Sequence, residues 1–400
     1  MDIIERFLKY VSFDTTSREE YPDRASNPNE YELAKELMEE LKEFNPDILE
    51  INKFGTVHAL FHSENDPDDK NAIALLAHMD TSCDAKGSNI KPRLVKNYDG
   101  KKIELSKGIF LDPEVYPYLS RSVNHDLIVT DGTTLLGGDD KAGIAIIMDL
   151  LNSLKNHRGN RSIEVFFTTD EEIGIDAEHI DEDKIISKFG YTMDGGDIGY
   201  IAKENFNAYD MIVSVKGRSI HPGSAKDLMI NSANVAIDFH NSLPRFARPE
   251  YTDDREGFYH LLHINGNVSE TVLTYIIRDF DKSAIEEKIN IAKHTAKLIN
   301  EKYGDEIVKV SISNSYNNMG DALTEHPEAI NLICSIYDEL GIKYEFEAIR
   351  GGTTGAHLAF MNPPCPNLGT GTYNMHGNYE YVDVTQMKTM VQILLKMFTK

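Results

Sequence analysis

The chain has 400 residues, 41% of them hydrophobic, three cysteines and a formal net charge of −24, which points to a globular protein of about two domains. The acidity excludes a nucleic-acid binder, which needs basic patches to displace counterions, and no stretch reaches the roughly 18 apolar residues that mark a membrane span. Cys83, Cys334 and Cys365 make no Cys-x-x-Cys pair and residues 1–10 lack the basic-then-apolar layout of a signal peptide, so a reducing cytoplasm is expected.

In chain order, Leu33, Leu37, Met38, Leu41 and Phe44 recur at helical spacing and predict an amphipathic helix over 30–44. The continuous apolar run 72–77 predicts a strand buried on both faces of a parallel sheet. It ends in His78-Met79-Asp80. Strand period points both of those outer side chains the same way, so the aspartate can orient the imidazole. Strand C-terminal ends are also where ligands gather in open α/β sheets. Residues 84–128 carry turn signals such as Asp99-Gly100, Asp112-Pro113 and Tyr116-Pro117 and read as a long irregular insertion, of a length that is often functional. Asp139 and Asp140 then precede a strongly apolar helix over 144–154. An N-cap carboxylate explains one of the two aspartates well and the second less well.

Residues 162–167 form a β-branched and aromatic run that predicts a buried strand. It leads into Thr168-Thr169-Asp170-Glu171-Glu172-Ile173-Gly174. Three acids there suit a helix N-terminus. They equally suit a division of labour in which one glutamate binds a metal and the other moves a proton. Met193-Asp194-Gly195-Gly196 repeats the pattern of apolar segment, acid and glycines. From about residue 208 the order is strand (209–215), helix (224–243), two strands (258–264 and 271–278) about Asn265-Gly266-Asn267, helix (284–303) and strand (307–312). That β-α-β-β-α-β order is the split, ferredoxin-like pattern. Residues 208–318 are therefore expected to form a domain inserted into a first one made of 1–207 and 319–400. The first domain resumes with a helix over 327–340, a glycine-rich turn from Arg350, the segment 367–377 containing His376, and a closing helix over 384–398. No glycine-rich segment is followed by the Gly-Lys-Ser/Thr of a phosphate loop.

His78, Asp139, Glu172, Asp194 and His376 all fall at predicted strand ends or glycine turns of one α/β domain. Imidazoles and carboxylates in such a set suit zinc or a similar divalent ion. Without a cation the gathering is unfavourable, since two like charges about 4 Å apart repel by roughly 4 kcal/mol at an effective dielectric of 20. Two divalent ions reverse that sign, and a carboxylate between them can bridge metals about 3.5–4 Å apart.

The ordered set Ala77-His-Met-Asp80, Leu136-Gly-Gly-Asp-Asp-Lys-Ala-Gly143, Thr169-Asp-Glu-Glu-Ile-Gly174, Met193-Asp-Gly-Gly196, His221-Pro-Gly-Ser-Ala-Lys226, Arg350-Gly-Gly-Thr353 and Asn367-Leu-Gly-Thr-Gly371 with His376-Gly377 resembles the peptidase T family. That is the tripeptide-aminopeptidase branch of di-zinc enzymes that also include carboxypeptidases and aminoacylases. The resemblance spans nearly the whole chain. It implies an α/β fold: a mixed-sheet catalytic domain with helices on both faces and a ferredoxin-like lid. It implies two zinc ions, with cobalt or manganese able to substitute in vitro, and small peptides as substrates. Asp139 is expected to bridge the ions, with His78 and Asp194 completing one site and Glu172 and His376 the other. Asp80 is expected to orient His78, and Glu171 to act as general base on the attacking water. His221 is expected to stabilise the oxyanion, and Arg350 to bind the peptide's carboxylate end. A cis peptide bond is expected at Asp139–Asp140. Two positions depart from the family pattern: Thr169 stands where many members have proline, and Thr354 where an acid is expected. A di-metal amidohydrolase acting on N-acyl amino acids or dipeptides shares the same ligand set, and a non-catalytic peptide-binding protein shares the same fold. Nothing in the sequence settles oligomeric state.

Overall fold

The computed structural model describes residues 1–18, 24–359 and 363–400. The chain divides into two compact units, one of residues 1–203, 319–347 and 353–400, the other of residues 204–318 and 348–352. Arg350, expected in the first domain, thus groups with the second.

The first unit is built on an eight-stranded mixed sheet. In spatial order its strands are Ile48–Ile51, Val57–Phe61, Ile163–Thr168, Ile73–His78, Gly190–Gly195, Asn367–Gly369, Tyr200–Asn205 and Glu345–Ile349. The four central strands, from Ile163–Thr168 to Asn367–Gly369, run parallel. Ile73–His78 and Ile163–Thr168 are buried at every position. This is why Ile73–His78 reads as a continuous apolar run, and Ile163–Thr168 as one broken only by Glu164, itself buried. The helix Gly138–Leu154 packs across Ile73–His78 and Gly190–Gly195, and the helices Ile3–Tyr10 and Val384–Thr399 pack against it. On the opposite face Ala74, Leu76 and Phe166 meet Ala177, Ile180 and Leu358. The 30–44 expectation appears as Pro28–Lys42, begun two residues earlier because the Asn27 side chain caps it in a capping box with Glu30.

The insertion is more ordered than its turn signals suggest. It contains the strands Arg93–Val95, Ile103–Ser106, Ile109–Leu111 and Leu127–Val129 and a 3-10 turn over Pro117–Ser122. Arg93–Val95 and Leu127–Val129 join Tyr381–Asp383 and Thr372–Tyr373 in a second, four-stranded antiparallel sheet. Tyr98, Leu111, Leu119, Leu127, Tyr373 and Tyr381 form a core of their own beneath it. Strands of three or four residues are too short to show a period, and Leu127–Val129 has one partner, Tyr381–Asp383, far along the chain.

The second unit is a four-stranded antiparallel sheet of Asn207–Lys216, Phe258–Gly266, Glu270–Asp279 and Val308–Tyr316. Numbered along the chain, the strands lie in the order 2-3-1-4. The helices Ser232–Ser242 and Lys282–Tyr303 cover one face, enclosing Met211, Val213, Val235, Phe239, Leu273 and Tyr275. This is the ferredoxin-like arrangement. The first helix begins at 232, later than the 224 expected, because the Asn231 side chain caps it by accepting from the Ala233 and Asn234 amides.

Gly143 shows how tightly the first unit closes around the start of its central helix. A Cβ there would lie 2.1 Å from the Met193 carbonyl oxygen and 2.5 Å from Asp140 Oδ1. Gly143→Ala is expected to destabilise the chain by about 1–3 kcal/mol through overpacking, read as a lower midpoint in urea unfolding.

Candidate metal centre

Sheet register brings the candidate residues to one edge. His78 is the last residue of its strand and pairs with Thr168, the last of its neighbour, while Leu76 pairs with Thr192 on the other side. His78, the turn after Thr168 and Asp194 therefore emerge side by side at strand C-terminal ends. Asp139 reaches the same edge from the start of the central helix, where it and Asp140 are not helical and the peptide bond between them is cis. His376 arrives on the turn between Thr372–Tyr373 and Tyr381–Asp383.

Two trios capable of holding a metal result, and they share one residue. His78, Asp139 and Asp194 form the first; Asp139, Glu172 and His376 form the second. His78 Nε2 lies 2.9 Å from Asp139 Oδ1 and 3.6 Å from Asp194 Oδ1. His376 Nε2 lies 3.2 Å from Asp139 Oδ2 and 3.0 Å from Glu172 Oε2. Asp139 thus offers one oxygen to each trio. Glu171 belongs to neither, and its carboxylate lies 3.9 Å from His78 Nε2.

Other groups hold this arrangement in place, and sequence reasoning saw only part of them. Asp80 lies 3.2 Å from His78 Nδ1. It also accepts the backbone N–H of Glu171 and of Glu172, each at 3.0 Å, and the Ser17 hydroxyl at 2.5 Å. Asp140 is fully buried, and its carboxylate accepts from the backbone N–H of His78 at 3.3 Å and of Gly143 at 3.1 Å. Asp170 adopts a left-handed conformation and accepts from the Ser26 amide, while its own N–H goes to Glu30 at 3.1 Å. Asp84 lies 3.2 Å from His376 Nδ1. No spacing rule points to Asp84 or Glu30, because each meets its partner only through the tertiary fold.

The electrostatics are those of a site short of positive charge. Burial, then the nearby Asp139, pushes Asp194 up to about 7. Burial, then the acids Asp194, Asp176 and Glu172, raises Glu171 well above the carboxylate range. His376 is pushed up to about 11 by its bonds to Asp139 and Glu172. Burial works against protonation of His78, but its bonds to Asp139, Asp194 and Asp80 outweigh it and raise the pKa. The imidazoles are thus drawn into the role of cations. Glu172 Oε1 is buried without a hydrogen-bond partner, which is costly unless something else engages it. Three carboxylates and two imidazoles in overlapping trios, one with an orphaned oxygen, fit divalent metal ions.

The two remaining candidates lie in the second unit. His221 is exposed and its Nδ1 accepts from the Gly223 amide at 3.1 Å. Arg350 donates through Nη1 to the carbonyls of Asp254 at 2.6 Å and Glu256 at 3.1 Å, and through Nη2 to Thr252 Oγ1 at 3.1 Å. Its guanidinium lies over the rings of Phe206 and Phe258. The fork expected to grip a substrate carboxylate is engaged in holding residues 252–256.

The chain is similar to known proteins along its whole length. Residues 136–400 match the peptidase family M20/M25/M40. Peptidase T of Clostridium acetobutylicum is 43% identical over 399 residues, covering 99% of this chain and 98% of its own. Peptidase T of Clostridium perfringens is 44% identical over 393 residues, covering 98% and 97%. The aminopeptidase PepT structure from Bacillus cereus superposes with a TM-score of 0.76 at 20% identity, covering 99% of this chain and 97% of its own. A dinuclear metal binding peptidase of the M20 family from Bacillus subtilis superposes with a TM-score of 0.63 at 14% identity, covering 99% and 98%.

The grip of Asp80 on the acidic turn is open to test. Asp80→Asn keeps one acceptor oxygen and turns an amide group toward a backbone N–H. With hydrogen bonds to a charged group at about 1.5–3 kcal/mol, metal-free Asp80→Asn protein is expected to lose stability on that scale in urea unfolding. Amide exchange at Glu171 and Glu172 should accelerate selectively.

Proposed function

The chain belongs to peptidase family M20/M25/M40, and we propose that its two overlapping trios hold a pair of divalent ions beside Glu171 as proton carrier. Its activity is that of a tripeptide aminopeptidase, acting on peptides. The observation that carries the two-ion reading is the sharing of Asp139, one oxygen to each trio, with Glu171 adjacent to Glu172 yet outside both.

Zinc is the metal proposed; bound here it would lower the pKa of water to about 7 and polarise the scissile carbonyl. His78 and Asp194 are assigned to one ion, Glu172 and His376 to the other, and Asp139 to both. Glu171 takes a proton from the attacking water and returns it to the leaving amine. Asp80 sets the tautomer and direction of His78 and, through one backbone bond to each, the positions of Glu171 and Glu172. His221 is assigned to the developing oxyanion: with Nδ1 accepting from Gly223, a neutral ring carries its proton on Nε2, as a donor. Arg350 takes up a peptide carboxylate only by exchanging its carbonyl partners for it. The compartment proposed is the cytoplasm, where Cys83, Cys334 and Cys365, all unpaired, stay reduced. No helix among the described residues is long and apolar enough to cross a membrane.

A chelator is expected to abolish tripeptide hydrolysis, and added zinc or cobalt to restore it. Glu171→Gln should lower kcat by about 10²–10⁴-fold, the range for general acid–base catalysis, with two metal ions per chain retained by elemental analysis. A fully active Glu171→Gln protein would sink the assignment. Rates on tripeptides should exceed those on dipeptides and N-acetyl amino acids; the reverse order would move the chain to the amidohydrolase reading.

A further inference from the structure

Glu380 is almost completely buried, at 1% exposure, and lies four residues beyond His376 on the same turn. Its Oε2 accepts from the backbone N–H of Leu136 at 2.6 Å and of Gly137 at 2.8 Å, and its Oε1 from that of Asp139 at 3.1 Å. We propose that Glu380 is a positioning residue that fixes the backbone of the Leu136–Asp139 turn and thereby sets where Asp139 presents its two oxygens. The inference rests on the two-ion reading above and adds a residue to it.

The turn needs such an anchor. Gly137 is in a left-handed conformation and Asp139 is extended, so these amides lie outside any regular ladder and would otherwise be buried without partners. The surroundings leave little room for another arrangement. A Cβ on Gly138 would lie 2.5 Å from Val382 Cγ2, 2.8 Å from Thr372 Cγ2 and 3.1 Å from Glu380 Oε1. A carboxylate matches the demand, because it presents two acceptor oxygens and no donor to three converging N–H groups. Glutamine would satisfy the Leu136 and Gly137 amides through one oxygen and turn its NH2 toward the N–H of Asp139. The conflict would fall on the residue shared by both trios. One turn of chain thus supplies a ligand to the second trio, His376, and the anchor of the aspartate common to both.

Glu380→Gln, Glu380→Asp and His376→Ala can be compared with the wild type in the full chain. Three readouts serve: zinc affinity by chelator competition, thermal unfolding of the metal-free protein, and kcat and KM at saturating zinc. Glu380→Gln is expected to weaken both zinc sites by about 10–100-fold, the usual cost of losing an outer-shell contact. Its metal-free protein should melt close to wild type, and kcat should fall while KM stays nearly unchanged. His376→Ala should weaken one site far more than the other. Glu380→Asp, which keeps two oxygens and no donor, should recover part of the affinity. Wild-type affinity at both sites in Glu380→Gln would overturn the proposal, as would the loss of one site alone. Loss of affinity matched by unfolding of the metal-free protein in both Glu380 variants would reduce the residue to a structural one and overturn it too. A wild-type chain that takes up no zinc would overturn the two-ion reading itself, and this inference with it.

Discussion

Asp80, Asp140, Asp170, Glu30 and Glu380 are all buried, and each accepts backbone N–H groups from the turns around the metal centre. The catalytic edge depends on this one kind of contact. A buried carboxylate costs several kcal/mol unless its charge is compensated, and here the compensation comes mostly from fixed peptide dipoles. Lys141 is the exception: it is fully buried, donates to the Phe13 carbonyl at 3.1 Å, and is pushed down to about 8 by burial against the pull of Asp80, Glu380, Asp14 and Glu30. Side chains held this way have little freedom to adjust. That suits a centre in which Asp139 must serve two trios at once and Glu171 must stand apart from both.

The adjacency of Glu171 and Glu172 acquires a mechanical explanation from the same contacts. Asp80 takes one amide hydrogen from each glutamate on its two oxygens, while Asp170, in its left-handed conformation, turns the chain off the strand end. The short 3-10 turn over Glu171–Ile173 that follows sends one carboxylate toward His376 and leaves the other near His78. Neighbouring residues on a strand would point to opposite faces; leaving the strand at Asp170 is what lets both reach one centre.

The five candidate ligands that the fold gathers stood out in the sequence because each sits at a strand end or glycine turn, and strand ends can be read from buried apolar runs. The order of elements in the second unit was legible for a similar reason, since its strands are eight to ten residues long or nearly so and alternate on one covered face. Other features follow from register and loop geometry, which periodicity does not carry. Asp140 makes the cap-like bond to the Gly143 amide and, beyond what an N-cap requires, also secures the His78 backbone. Glu380 lies 241 positions from the Asp139 amide it holds. The insertion looked irregular because its strands are short and one of them, Leu127–Val129, pairs with a strand more than 250 residues on. Arg350 carried a family expectation; the Thr252 and Asp254 oxygens and two phenylalanine rings that surround its fork carry no periodic signal in the sequence.

The strand Asn367–Gly369 lies between Gly190–Gly195 and Tyr200–Asn205 near the middle of the large sheet. A ribosome delivers it late, after more than nine-tenths of the chain. Until then the nascent first unit carries a gap in its sheet, with the edges of both flanking strands unpaired and open to other chains. The second unit has no such debt to the C-terminus in its own sheet, whose four strands all lie within residues 207–316. Biosynthesis therefore meets the two units in the reverse of their numbering: the inserted sheet can close while the host sheet is still waiting for its central strand, and His376, the last of the two trios, emerges only after that strand has come.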